Sequence, residues 1–376
     1  MMAAMGTQGP EAASRIADLV RPRGAEFEHA RTLAPDVAQA MRDAGLFRMP
    51  LPKELGGTDA DLMAIASVIE TVSAADASTG WCLMIGAGTN AFAGYLERDA
   101  AEEMWADPDI ATAGVVMPRG TATSADNGYR VSGRWPFASF CEHAAWLCGG
   151  CIVDGGPPRL VFFPASDVTI HDTWHVAGLR GTGSHDIEVR DILVPAGRSA
   201  WFETEPWPDG PLYRIPFLGV LSSTLASVAL GIARGALDEF VRLARDKVPT
   251  GSGRTVAQRE TVQSRLAQSE AAVEAARVYL HDRLASAWDI ASRGDKVGGA
   301  DHAQVRLAST HATHVAVKAV DFAYEAGGTS ALYTSSPLQR AFRDIHAASQ
   351  HIMVAAPSFE PVGRTLLGLD PASPMF

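Results

Sequence analysis

The chain has 376 residues, 47% of them hydrophobic and 20% charged, with a formal net charge of −11. That length exceeds what one hydrophobic core sustains, so two or three domains are expected, and the composition excludes disordered and collagen-like chains. The negative charge, unrelieved by any Lys/Arg run, argues against a nucleic-acid partner, and four cysteines are too few for a disulfide framework, which suits a reducing compartment.

The opening residues MMAAMGTQGPEAASR lack a basic segment followed by an apolar one, and no later stretch approaches eighteen uninterrupted apolar residues, so no membrane partner and a cytoplasmic location are expected. From about residue 10 to 108 apolar residues recur at three and four in PDVAQAMRDAGLF and ADLMAIASVIETVSAA, which predicts a helical domain over 1–108. Within it LPKELGGTDADL reads as a loop, with Thr58 or Asp59 as a cap for the next helix.

Between about 110 and 200 the texture becomes short β-like runs (IATAGVVM, YRVSGRW, AAWLCGGCIV, RLVFFP, DVTIHDTW, HDIEVRDILVP) split by turn clusters such as ADNG and DGGPP. With no helices between them, these predict a compact antiparallel β-barrel or sandwich, set at 109–205. Cys148-Gly-Gly-Cys151 has the spacing of half a zinc or redox site, but it stands alone inside a strand, where residues three apart face opposite ways.

Helical spacing returns near 214. Val262, Leu266, Val273, Ala276, Leu280, Leu284 and Trp288 trace one face of a helix of about 30 residues. Further helices over 216–246, 301–326 and 337–356 complete a four-helix bundle within 206–376. His311 and His314 are three apart on a helix without a third ligand in register, so no metal site is expected.

Helices, then strands, then a bundle, together with PKELGG, SGRWPFAS, GLRGTGSHDIEVRDILVP and SSPLQRAFRDIHAASQH in that order, resemble the acyl-CoA dehydrogenase fold across nearly the whole chain. The fold class is therefore α+β. The same motifs look most like the flavin-dependent monooxygenase branch of that fold. The resemblance implies a homotetrameric oxygenase that takes reduced FAD or FMN from a separate flavin reductase, reacts it with dioxygen to a C4a-hydroperoxide, and hydroxylates a small aromatic, heteroaromatic or heteroatom-containing substrate. No dinucleotide-binding GxGxxG follows a strand, which agrees with a separate reductase.

The resemblance also points to residues. The dehydrogenases often carry a glutamate base after the RD motif; here the segment runs Arg343 to His351 without one, and His351 completes an RDxxxxxxH pattern suited to acid or base work. Ser139 occupies the position that lies against the flavin ring. Trp135 and Phe137, two apart on a strand, are expected to share a face covering the ring, with Trp174 at its edge. In Gly181-Thr182-Gly183-Ser184-His185 the glycines allow close backbone approach, and the Thr182 and Ser184 hydroxyls suit the flavin's ribityl or phosphate oxygens. Arg254 stands where an arginine of a neighbouring subunit meets the pyrophosphate. After Gly80-Trp81 the histidine of some members is missing, leaving Thr89 or Asn90 to face the substrate. The rival readings are an acyl-CoA dehydrogenase using FAD with a base elsewhere, such as Glu325, and a catalytically silent homologue that only binds a ligand.

Overall fold

Apolar spacing of three and four residues builds the first layer. The computed structural model describes residues 8–373, 375 and 376; the first seven residues of the segment read for a leader lie outside them. Helices α1 (Gln8–Val20), α2 (Gly24–Ala30), α3 (Pro35–Asp43), α4 (Leu62–Ala75), α5 (Ala77–Asn90) and α6 (Arg98–Met104) fill the expected helical region. Asp61, rather than Thr58 or Asp59, caps α4 by accepting from Ala64 N at 2.7 Å. Thr58 instead donates to Met49 O, and Asp59 sits at φ 50°, outside the extended conformation of an N-cap. Buried Asp76 ends α4 and begins α5, taking both the N–H and the hydroxyl of Thr79 at 2.8 Å.

Seven strands form one sheet in the order β5-β6-β2-β1-β3-β4-β7, with β1 Thr112–Ala125, β2 Gly128–Ala138, β3 Trp146–Val153, β4 Pro158–Pro164, β5 Thr169–His171, β6 His185–Pro195 and β7 Ser199–Ala200. The sheet is mixed, not wholly antiparallel as expected. Strand β2 returns beside β1 through a tight turn at Asn127 (φ 68°), and the chain then crosses so that β3 pairs parallel with the other edge of β1. Turn signals reveal where strands end but not on which side the next one docks.

The C-terminal helices are α7 (Phe217–Asp246), α8 (Glu260–Ser292), α9 (Gly299–Gly327), α10 (Pro337–Ala348) and α11 (Phe359–Leu366). Helix α7 is apolar enough to span a membrane by composition, yet 89% of its most apolar stretch is buried within the fold. It packs on α4, α9 and α10, as a helix apolar all round must. Gly231 and Gly235 let α4 come close, since an added Cβ would meet the Glu70 and Ala74 carbonyl oxygens at 2.5 and 2.4 Å. On α8, Val273, Ala276, Leu280 and Leu284 of the expected stripe are buried, while Val262, Leu266 and Trp288 are half-buried at its ends.

Candidate active site

The C-terminal half of α5, strands β1 to β4, the 174–184 turn, the start of α7 and the segment after α10 enclose a cavity of about 450 Å³. Its walls are mostly apolar, from Met84, Ile85, Phe92, Phe217, Leu218 and Leu221 among others. Among the described residues, no carboxylate lines it. Gly88 on α5 faces this space, where an added Cβ would meet nothing within 4 Å.

One wall carries a ladder of hydroxyls whose direction is determined. Trp81 Nε1 donates to Ser139 Oγ at 3.0 Å, Ser139 and Ser184 are joined at 2.6 Å, Ser184 and Thr182 at 2.6 Å, and Thr182 donates to Leu179 O at 2.8 Å. A hydroxyl has one proton. The Thr182 proton goes to the carbonyl, so Ser184 donates to Thr182, and Ser139 therefore donates to Ser184. Both serine protons are consumed. What Ser139 and Ser184 retain for the cavity is a lone pair each, so these two hydroxyls accept hydrogen bonds and do not give them.

His351 faces the same cavity three residues beyond the end of α10. The helix stops at Ala348, short of the expected 356, and the chain turns so that His351 O accepts from Val354 N and Ala355 N. Burial, helped by the positive charge of Arg306, lowers the imidazole to about 4, so the ring is neutral at pH 7. Its Nδ1 accepts from Met353 N at 3.3 Å, which puts the ring proton on Nε2. The neutral ring thus offers a donor. Trp81 stands edge-on to it with centroids 6.0 Å apart, bringing histidine and ladder side by side.

The structure brings Ser139, Thr182, Ser184, Phe137, Trp174 and His351 to one cavity. It does not bring Trp135 there, and the expectation that Trp135 and Phe137 share a face is corrected. Between the pairs Trp135–Ile187 and Ala138–His185 the register breaks, leaving Pro136 and Phe137 opposite one residue. Phe137 adopts φ 68° and turns outward, 66% exposed, edge-on to Trp174 at 6.2 Å. Trp135 is fully buried in a slot walled by glycines: a Cβ at Gly120, Gly133 or Gly149 would meet its ring at 2.4 to 2.6 Å. Its Nε1 donates to Gly150 O at 2.7 Å. The Gly-Gly between Cys148 and Cys151 thus admits a tryptophan, and burial pushes the Cys151 thiol up to about 12, far from a reactive thiolate.

Arg254 precedes α8, exposed and paired with Glu260 at 3.0 Å, and does not line this chain's cavity. Glu325 is also exposed, paired with Arg265 at 2.7 Å, so it is no base for a reaction in the cavity. Asn90 is fully buried and occupied by Phe47 O, Trp105 Nε1 and Thr112 Oγ1, which leaves Thr89 as the polar α5 residue at the cavity. Sequence reasoning missed Trp81 as a member of the ladder, although Gly80-Trp81 had marked the segment. It also missed Asp344, which accepts from Leu179 N at 2.6 Å, and Arg306, which donates to Met353 O beside His351. The RD motif contained the first of these signals.

A helical layer, a central sheet and a terminal bundle around one cavity define an enzyme of the acyl-CoA dehydrogenase fold, and residues 11–106 and 223–356 match the acyl-CoA dehydrogenase N-terminal and C-terminal domain families. The chain is 32% identical to an indole-3-acetate monooxygenase of Pseudomonas putida over 93% of its own length and 91% of that protein. It is also 32% identical to the oxygenase component of an FADH2-dependent resorcinol hydroxylase of a Rhizobium species, over 95% and 93%. Among solved structures, XiaF from a Streptomyces species, in complex with FADH2 and glycerol, superposes with a TM-score of 0.92 at 27% identity, covering 99% of this chain and 98% of that one. The chain belongs to the flavin-dependent monooxygenases of this fold.

Proposed function

We propose that the chain is the oxygenase half of a two-component hydroxylase: it receives reduced FAD or FMN from a separate reductase and hydroxylates a small aromatic substrate in the cavity between sheet and bundle. Reduced flavin, when bound, supplies the electrons that activate dioxygen. The residues present fit that group. A reduced isoalloxazine carries ring N–H groups, and the Ser139 and Ser184 hydroxyls are left as acceptors for them. Phe137 and Trp174 supply aromatic surface where the ring would lie, and the mostly apolar lining disfavours water beside it.

Beside that wall His351 lines the same cavity with its ring proton on Nε2, where it would donate to an oxygen atom. The observation that carries the reading is this pairing of two accepting serine hydroxyls with a neutral, donating histidine, in a cavity that no carboxylate lines among the described residues. The dehydrogenases of this fold use a carboxylate base within reach of the substrate carbon, and among the described residues none lines this space. Assembly as a homotetramer in the cytoplasm belongs to the same proposal; it is supported by the outer face of α8, where Val278 is 56% exposed beside a hollow lined by Ala271, Ala275 and Tyr279. Arg254, exposed in the single chain, would then reach the flavin of a neighbouring copy.

The test supplies chemically reduced FAD or FMN and dioxygen to the purified protein with a panel of phenols and indoles. A hydroxylated product formed only with reduced flavin supports the proposal. Reduction of a protein-bound flavin by an acyl-CoA, with no need for dioxygen, would establish the dehydrogenase instead.

A further inference from the structure

Asp344 lies on α10, buried, and neither lines the cavity itself nor bonds to Ser139. Its Oδ1 accepts from Leu179 N at 2.6 Å across the boundary between bundle and sheet. Leu179 is a non-glycine residue held in the left-handed conformation, φ 53° and ψ 36°, which a free chain rarely adopts. The next link is its carbonyl: Leu179 O accepts from Trp174 Nε1 at 3.1 Å and from Thr182 Oγ1 at 2.8 Å. That second bond fixes the direction of the whole ladder, because it consumes the Thr182 proton.

The approach of the two backbones is built for this contact. A Cβ on Gly178 would stand 2.0 Å from Arg343 O, so only glycine lets the turn come this near to α10. Arg343 donates to Ala177 O and pairs with Glu28, tying the same turn from a second side. Asp344 is therefore one bond from Leu179 and two from both Trp174 and Thr182.

We propose that Asp344 is a positioning residue: by holding Leu179 N–H it orients the Leu179 carbonyl, and through it sets Trp174 at the cavity and turns Ser139 toward the ligand as an acceptor. The residue acts through its acceptor oxygen, and both protonation states of the carboxyl provide one. The contact also couples the bundle to the sheet, so the placement of α10 and the polarity of the hydroxyl wall are a single feature. This inference rests on the reading of the cavity as a reduced-flavin site.

Anaerobic titration of the purified protein with reduced FAD and reduced FMN, read as dissociation constants and independent of turnover, tests it. Asp344→Asn keeps an acceptor and is expected to bind reduced flavin within about twofold of the parent. Asp344→Ala removes it and is expected to weaken binding about tenfold. In a Thr182→Val background, where the ladder is already cut, the alanine change should cost less than it does in the parent, only the part carried through Trp174 remaining. Failure of the parent to bind either reduced flavin would remove the flavin reading itself. A binding parent together with a folded Asp344→Ala of equal affinity, an Asp344→Asn that loses affinity tenfold, or additive effects of the Asp344 and Thr182 changes would each overturn the role of Asp344 alone. Should the alanine variant not fold, the asparagine result decides.

Discussion

Replacing Ser139 by alanine separates the acceptor role of this hydroxyl from a role in packing. Ser139 Oγ accepts from Trp81 Nε1 at 3.0 Å and is buried, so the substitution leaves an indole N–H without a partner inside the protein. Stability should fall by about 1–3 kcal/mol, the usual consequence of orphaning a buried donor. A flavin N–H loses its acceptor as well. One such bond contributes about 0.5–1.5 kcal/mol net, so the dissociation constant of reduced flavin should rise about two- to twelvefold. Oxidised flavin has a bare ring nitrogen where the reduced ring has an N–H, and an acceptor wall gains nothing from it. Its affinity should therefore stay within about twofold in Ser139→Ala. The assay is anaerobic titration with each redox form, beside chemical unfolding. Equal loss for both forms, or loss for neither, would refute the assigned direction of the ladder.

Three further outcomes follow from the same geometry. His351→Ala should lower product formation by about a hundredfold or more, as loss of a positioned hydrogen-bond donor does, while dioxygen continues to be consumed and emerges as hydrogen peroxide; an oxygen electrode with product analysis would show parent-like coupling if the histidine is merely structural. Gly88→Phe should place a ring in cavity space that is open at the Cβ, abolishing flavin or substrate binding while leaving thermal stability equal or higher, since the change also removes a helical glycine; unchanged binding by calorimetry contradicts the cavity assignment. Burial lowers both His302 and His351 to about 4, so between pH 6.5 and 4 the unfolded chain binds protons that the folded one refuses, and stability falls as pH falls. From pH 7 to 5 each should remove about 2 kcal/mol, and His302→Gln should halve that loss in denaturant titrations; an unaltered pH slope would contradict it.

Much of the fold was legible because its signals are local. The 216–246 helix and the 185–195 strand are periodic enough to be read from their own residues, and α7 and β6 match them closely. What the sequence hid depends on residues far apart in the chain. The parallel pairing of β1 with β3 is set by a crossing that no turn motif encodes. Trp135 and Phe137 were expected on one face because strands alternate; a bulge at Pro136 breaks that alternation, and the glycines that wall in Trp135 come from three different strands.

The site divides in the same way. Ser139, Thr182, Ser184 and His351 stood in motifs and are found at one cavity, whereas Trp81 joins them only because α5 packs over the end of β2. Asp344 was visible as half of an RD pair. Its use was not, because the Leu179 amide it binds is 165 residues away. The direction of the hydroxyl ladder, on which the choice between donor and acceptor rests, emerges only when every proton in it has been assigned.

A crystal structure of the protein with reduced flavin bound anaerobically tests the central claim most directly. The expected result is a ring N–H within hydrogen-bonding distance of Ser139 Oγ, with the His351 imidazole beside it at the same flavin. A flavin bound elsewhere, or a ring that presents only carbonyl oxygens to the hydroxyl wall, would contradict it.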